Sequence, residues 1–183
     1  KQKLHHSFAC ALAAAVFGVA TQADSPGLAD FGKFTPPDNG GEFVEVQVRG
    51  NLLQFAARLV EKEKPEAAKL LRSVELVRVN VMGLTDSNRE GLQQRVQSIR
   101  QDLEARGWER NLRVQGKAGE DVGVYTQAQE GEALAGVVIT VIDPKNVVLV
   151  NVVGDIRPEQ IVSLGESLHI QPLQDLHATV RHR

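Results

Sequence analysis

Several segments of this chain alternate apolar and polar residues, which predicts β-strands. Between Glu42 and Arg49 every second residue is valine, and residues 74–82 repeat the pattern. Successive side chains of a strand point to opposite faces of its sheet, so one face of each strand is apolar. Further strands are predicted at residues 112–115, 122–128, 137–142 and 147–153. The last two are joined by a tight turn at Asp143 to Asn146.

The residues after the first predicted strand are apolar at intervals of three and four, which is typical of one face of a helix. This stripe consists of Leu52, Phe55, Ala56, Leu59 and Val60. Asn51 is a candidate N-cap for the helix. A second short helix is predicted to begin at Pro65, because proline is favoured at the first helical position.

The most regular helical pattern follows the second strand. Its apolar stripe consists of Leu92, Val96, Ile99 and Leu103. Ser87 and Glu90 have the spacing of a capping box, and Gly107 is expected to end the helix. Trp108, directly after that glycine, is interpreted as a core residue rather than a carbohydrate platform.

The segment from Gly154 to Arg157 invites a functional interpretation, because glycine and polar residues interrupt an apolar run there. A phosphate-binding loop would contain more glycines and a lysine. We interpret the segment as the joint between the last strand and a closing helix. This helix is predicted from Pro158 to about Leu168, with Asp155 as a capping acceptor.

Strands joined by hairpins pair in antiparallel fashion, so the pattern predicts an α+β fold. We expect a mostly antiparallel sheet with helices packed on one face, as a two-layer sandwich. The helices would cover the valine face and leave the other face in water. The candidate binding face on that polar side consists of Glu45, Gln47, Arg49, Arg78, Asn80 and Asn151. The alternative is a solvated surface stabilised by cross-strand pairs.

Asn80 and Asn151 are the most informative residues of this polar face. Asparagine is unfavourable in strands. A partner or a mutual hydrogen bond is therefore expected to account for each of them.

The first residues have the pattern of an export signal. A short basic stretch precedes an apolar stretch from Phe8 to Ala20, and small residues follow. We predict a signal peptide over residues 1–23, cleaved after Ala20 or Ala23, although an N-terminal anchor helix is the alternative. The expected location is the bacterial periplasm or the medium. No transmembrane span is expected after cleavage.

The rest of the chain is expected to form one domain with unstructured ends. Residues 24–41 are rich in proline and glycine and are predicted to form a flexible leader, which Phe31 and Phe34 could pin to the domain. The single α+β domain is assigned to residues 42–168, and residues 169–183 to a C-terminal tail. The only cysteine, Cys10, lies inside the predicted signal, so no thiol, disulfide or lipid anchor is expected in the mature chain.

Composition argues against several functions. Twenty-one basic and 23 acidic residues are interspersed, with one tryptophan and one tyrosine, so a nucleic-acid-binding groove is not expected. No motif for a metal or a cofactor is visible, and none is expected. Glu120 and Asp121 are interpreted as a solvated pair in a turn. The histidines of the predicted mature chain, at positions 169, 177 and 182, lack a metal-ligand spacing.

An ordered set of short segments resembles one family of exported bacterial proteins. These segments are residues 42–46, 50–53, 78–79, 107–108 and, above all, 150–156. The family is the domain of unknown function numbered 4252, and the resemblance spans about Phe43 to Leu164. It implies no established activity. Some members look like lipoproteins, whereas this sequence has no cysteine suited to lipid attachment.

The sequence therefore favours a non-enzymatic envelope protein that binds a partner protein or a small ligand. The binding site would be the polar face or an exposed edge strand. One alternative is a hydrolase-type enzyme that uses carboxylates or His169. Another is a structural or chaperone-like module, which a large exposed apolar patch would favour.

Overall fold

The computed structural model describes residues 25–37, 41–117 and 119–157. Along the chain the elements are β1 (Phe43–Arg49), α1 (Gly50–Val60), α2 (Pro65–Ser73), β2 (Val74–Gly83), α3 (Arg89–Ala105), β3 (Glu109–Gln115), β4 (Asp121–Ala128), β5 (Leu134–Ile142) and β6 (Asn146–Ile156). The strands form one antiparallel sheet in the order β1-β2-β6-β5-β4-β3. The predicted α+β class is confirmed. The predicted signal peptide, closing helix and tail lie outside the described residues.

The strand register collects valines on one face of the sheet. One row across all six strands consists of Val44, Val81, Val148, Val141, Val122 and Val114. Helices α1 and α2 pack on this face, where Leu53 and Leu70 join a core cluster with Val150 and Val152. On β1 the cover is incomplete, because Val44 and Val46 are 39% and 41% exposed.

The opposite face of the sheet is also covered, which corrects the expectation that all helices lie on one side. Helix α3 packs there through Val96, Ile99 and Leu103. The reason lies in β5 and β6, which are apolar on both faces: Val138 and Leu149 are fully buried on the α3 side. Strands that are apolar on both faces need a layer on each side. The molecule therefore has three layers rather than two.

Residues 25–34 complete the layer on the α3 side, so the predicted flexible leader is packed there rather than free. Ala29 and Phe31 are each 1% exposed and belong to the α3-side core, against which Phe34 also packs. Trp108 is buried in the same core, as predicted.

Three local predictions need correction. Asn51 does not cap α1, because Arg49 is the N-cap and Asn51 lies inside the helix. The capping box does not form: Asn88 is the N-cap of α3, and the Ser87 hydroxyl contacts the Thr85 hydroxyl instead. Gly154 does not end the last strand either, because β6 continues to Ile156. The backbone at the junction of α2 and β2 passes so close to Gly154 that any side chain there would overlap the Ser73 carbonyl. The glycine is thus required by strand packing.

Candidate functional site

Asn151, the central residue of the predicted polar face, is fully buried beneath the leader. Its side-chain oxygen accepts a hydrogen bond from the backbone N–H of Ala29 at 3.0 Å. Its Nδ2 donates to the carbonyl oxygens of Gly27 at 3.0 Å and Val137 at 3.2 Å. The partner that accounts for an asparagine in this strand is therefore the same chain, about 120 residues earlier.

Arg78 also holds the leader. Its guanidinium donates to the carbonyl oxygen of Ala29 at 3.2 Å and lies 5.4 Å from the centre of the Phe31 ring. This geometry combines a charge-assisted hydrogen bond with a cation–π contact. Asn80, two residues along β2, is 2% exposed, and its Oδ1 is without a hydrogen-bond partner in the described structure. No mutual bond joins it to Asn151, since its neighbour on β6 is Leu149.

The other three residues of the predicted face, Glu45, Gln47 and Arg49, lie on the edge strand β1 and are exposed. With the Gln47 amide oriented so that its oxygen faces Arg49, that oxygen accepts from the guanidinium at 2.7 Å. A depression of about 530 Å3 lies between these residues and the leader. The six predicted residues thus form two groups: three on β1 are open to solvent, and three on β2 and β6 lie further in, where the leader contacts Asn151 and Arg78.

Helix α1 carries an exposed apolar stripe that sequence reasoning did not single out as a site. Leu52, Phe55 and Leu59 are 58%, 56% and 66% exposed. The helix packs instead through Leu53 and Ala57. The spacing of the apolar residues predicts the helix correctly, but it does not mark the face through which the helix packs. Large apolar side chains grouped on one face of a helix are typical of an interaction surface.

Strand β1 adds an open edge beside this stripe, because among the described strands it pairs with β2 alone. Natural edge strands are commonly protected by lysine, proline or a bulge. β1 has none of these and carries two charged residues, whereas the other edge strand, β3, has a register irregularity and three charged residues. We call the outer edge of β1, with Val44, Val46, Leu52, Phe55 and Leu59, the β1–α1 surface.

A buried ion pair lies at the other end of the sheet. Arg100 Nη1 is 2.9 Å from Asp121 Oδ2, and its Nε donates to the Thr140 hydroxyl at 2.9 Å. The Asp121 side chain is only 14% exposed, which corrects the prediction of a solvated turn pair with Glu120. Burial alone would raise the pKa of Asp121, but the hydrogen bond and charge of Arg100, with the charge of Arg113, lower it below its usual value.

Polar side chains line a depression beside this ion pair. A shallow cavity of about 540 Å3 beside it is lined by Glu90, Glu120, Asp121 and several glutamines. A carboxylate with a lowered pKa remains ionised near neutral pH and cannot serve as a general acid there. In the part of the chain that the structure describes, no group of three or more metal-ligating side chains is placed to hold a metal ion. His169, named in the enzymatic alternative, lies outside that part.

Comparison with known proteins places the chain in a family. The family model described as a domain of unknown function (DUF4252) matches residues 38–164, from just before β1 to beyond β6. The chain therefore belongs to this family. Neither the curated proteins nor the solved structures gave a match. Among the described helices, none combines the length and the apolar character needed to cross a membrane.

Proposed function

We propose that this chain is a non-enzymatic interaction protein of the bacterial envelope, and that it binds a protein partner through the β1–α1 surface. The observation that carries the proposal is the exposure of Leu52, Phe55 and Leu59 on one face of α1. The apolar N-terminal pattern supports export.

The surface has the two features that strand addition requires. The open edge of β1 offers main-chain N–H and C=O groups, and the neighbouring apolar side chains offer area that a partner can bury. Val44 and Val46 lie on the same face of the sheet as α1, because Leu53 packs in one cluster with Val48 and Val79. A partner strand beside β1 would therefore meet the open edge, with Val44 and Val46 exposed on the face where α1 packs.

Photo-crosslinking in intact cells tests this proposal. A photoreactive residue at Leu59 should give one discrete protein adduct, and the same probe at exposed Glu66 on α2 should give none. Adding Phe55→Glu should abolish the adduct, because a carboxylate would have to be desolvated in an apolar contact. Since Phe55 is 56% exposed, this substitution should change the free energy of unfolding by less than about 0.5 kcal/mol.

The matched control is Lys69→Glu, which changes an exposed charge on α2. It should leave the adduct intact. An adduct that survives Phe55→Glu, or equal labelling from the Leu59 and Glu66 probes, would contradict the proposal.

A further inference from the structure

We infer that a partner of the β1–α1 surface is a second copy of this chain, which pairs its β1 antiparallel to the first. This inference rests on the proposed function, because it uses the same surface and names its occupant. Two features carry it: the direction in which the peptide groups of β1 point, and the order of charges along its outer edge.

The outer edge of β1 presents the peptide groups of its odd-numbered residues. Gly83 N–H donates to the carbonyl oxygen of Glu42 at 2.7 Å, so the peptide groups of Glu42 face β2. The pairing of Val44 with Val81 and Val46 with Val79 continues this register. Since successive residues of a strand point their N–H and C=O groups to opposite sides, residues 43, 45, 47 and 49 point theirs outward.

These outward residues select one self-complementary register. If Gln47 lies opposite Gln47 of the second copy, Glu45 lies opposite Arg49, and the symmetry of the pair makes this contact twice. Opposite charges directly across two strands stabilise a sheet. A register centred on Glu45 would instead place two carboxylates opposite each other. Within the described part of the chain Glu45 forms no ion pair, so its carboxylate is available for this contact.

A third register, centred on Val46, pairs Glu45 with Gln47 and Phe43 with Arg49. It makes no charge pair and leaves both Glu45 and Arg49 without an opposite charge. The outward peptide groups would permit it, so the charges rather than the backbone decide against it.

The preferred register also brings α1 of the second copy close to the exposed valines of β1. Helix α1 begins at Gly50, directly after β1, and lies on the valine face. With Glu45 opposite Arg49, Val44 lies opposite Gly50 of the second copy. The second copy's α1 therefore begins beside Val44, and its stripe of Leu52, Phe55 and Leu59 starts on the face where Val44 and Val46 are exposed. One arrangement thus occupies the open edge and brings the second copy's α1 next to exposed Val44.

Charge reversal tests this arrangement, and the protein used is the chain as it is recovered from the cells that produce it. Sedimentation equilibrium should show a dimer. Glu45→Arg and Arg49→Glu, each alone, should weaken self-association about tenfold or more, because each places like charges opposite each other twice. An equimolar mixture of the two variants should form a one-to-one heterodimer, since both opposite-charge contacts are restored. Glu66→Arg, an exposed change on α2, should have no effect.

Disulfide trapping tests the register. In a Cys10→Ser background, Gln47→Cys should crosslink two copies on oxidation, because hydrogen-bonded antiparallel residues have Cα atoms about 5.5 Å apart, within disulfide range. Val46→Cys should not form this crosslink.

Three results would each overturn the inference. They are a chain that stays monomeric at the highest attainable concentration, a dimer whose stability is unchanged by both charge reversals, and a crosslink at residue 46 in place of residue 47. The chain could be monomeric while the Leu59 probe still captures a different protein and loses it on Phe55→Glu substitution. That result would contradict the dimer but support the proposed function.

Discussion

Replacing Asn151 with leucine is expected to lower the free energy of unfolding by roughly 3 kcal/mol and to release the leader. Leucine branches at the same atom as asparagine but is larger, and it cannot pair with Ala29 N–H or with the carbonyl oxygens of Gly27 and Val137. Each buried group left unpaired costs about 1–3 kcal/mol. Urea denaturation measures the loss. Limited proteolysis should show new cleavage within residues 25–37.

Asn80→Leu is the matched control, because it makes the same substitution on the same face of the neighbouring strand. Asn80 is as deeply buried, but its side-chain oxygen has no partner in the described structure. Removing an unpaired polar group is nearly neutral or stabilising. Equal losses for the two variants would show that Asn151 does not hold the leader.

Asp121→Ala is the second substitution with a large expected effect. It leaves the buried guanidinium of Arg100 without its opposite charge, and breaking a buried pair in this way costs about 3–5 kcal/mol. Replacing both partners, as in Arg100→Met with Asp121→Leu, should recover most of the loss. The exposed Glu66–Lys69 pair provides the control, since Glu66→Ala should cost less than about 1 kcal/mol.

The effect of Asp121 should depend on pH in a defined direction. The pKa of Asp121 is lowered in the folded protein, so the carboxylate stabilises the fold above its unfolded pKa of about 4. This stabilisation is lost as the pH falls through the lower, folded pKa. The difference in free energy of unfolding between the original protein and Asp121→Ala should be constant near neutral pH and shrink below about pH 4. A difference that grows on acidification would contradict the assigned pairing.

The sequence predicted the elements well because the patterns that define them are local. Alternating valines located β1 and β2, and the stripe from Leu92 to Leu103 located α3. The layer arrangement was harder to predict. β5 and β6 are apolar on both faces, and the sequence shows this as nearly continuous apolar runs. The alternation on β1 and β2, in contrast, favours a sheet with one face in water.

The candidate site depended on contacts between distant parts of the chain, which no local pattern reveals. Asn151 was correctly expected to need a partner, but nothing near it in sequence indicates that the partner is the backbone of Gly27 and Ala29. The apolar stripe on α1 is the reverse case, because a clear local pattern is present but does not identify the packed face. An amphipathic pattern normally marks the buried face, whereas here Leu53 and Ala57 are buried and Phe55 is exposed.

Hydroxyl-radical labelling read by mass spectrometry tests within one molecule whether the leader covers the part of the polar face around Asn151 while the β1–α1 surface remains open. Phe31 and Phe55 are the same residue type, but they are 1% and 56% exposed. At a concentration where the chain sediments as a monomer, Phe55 should be oxidised rapidly and Phe31 should be as protected as buried Trp108. Rapid oxidation of Phe31, or protection of Phe55 in the monomer, would contradict the account.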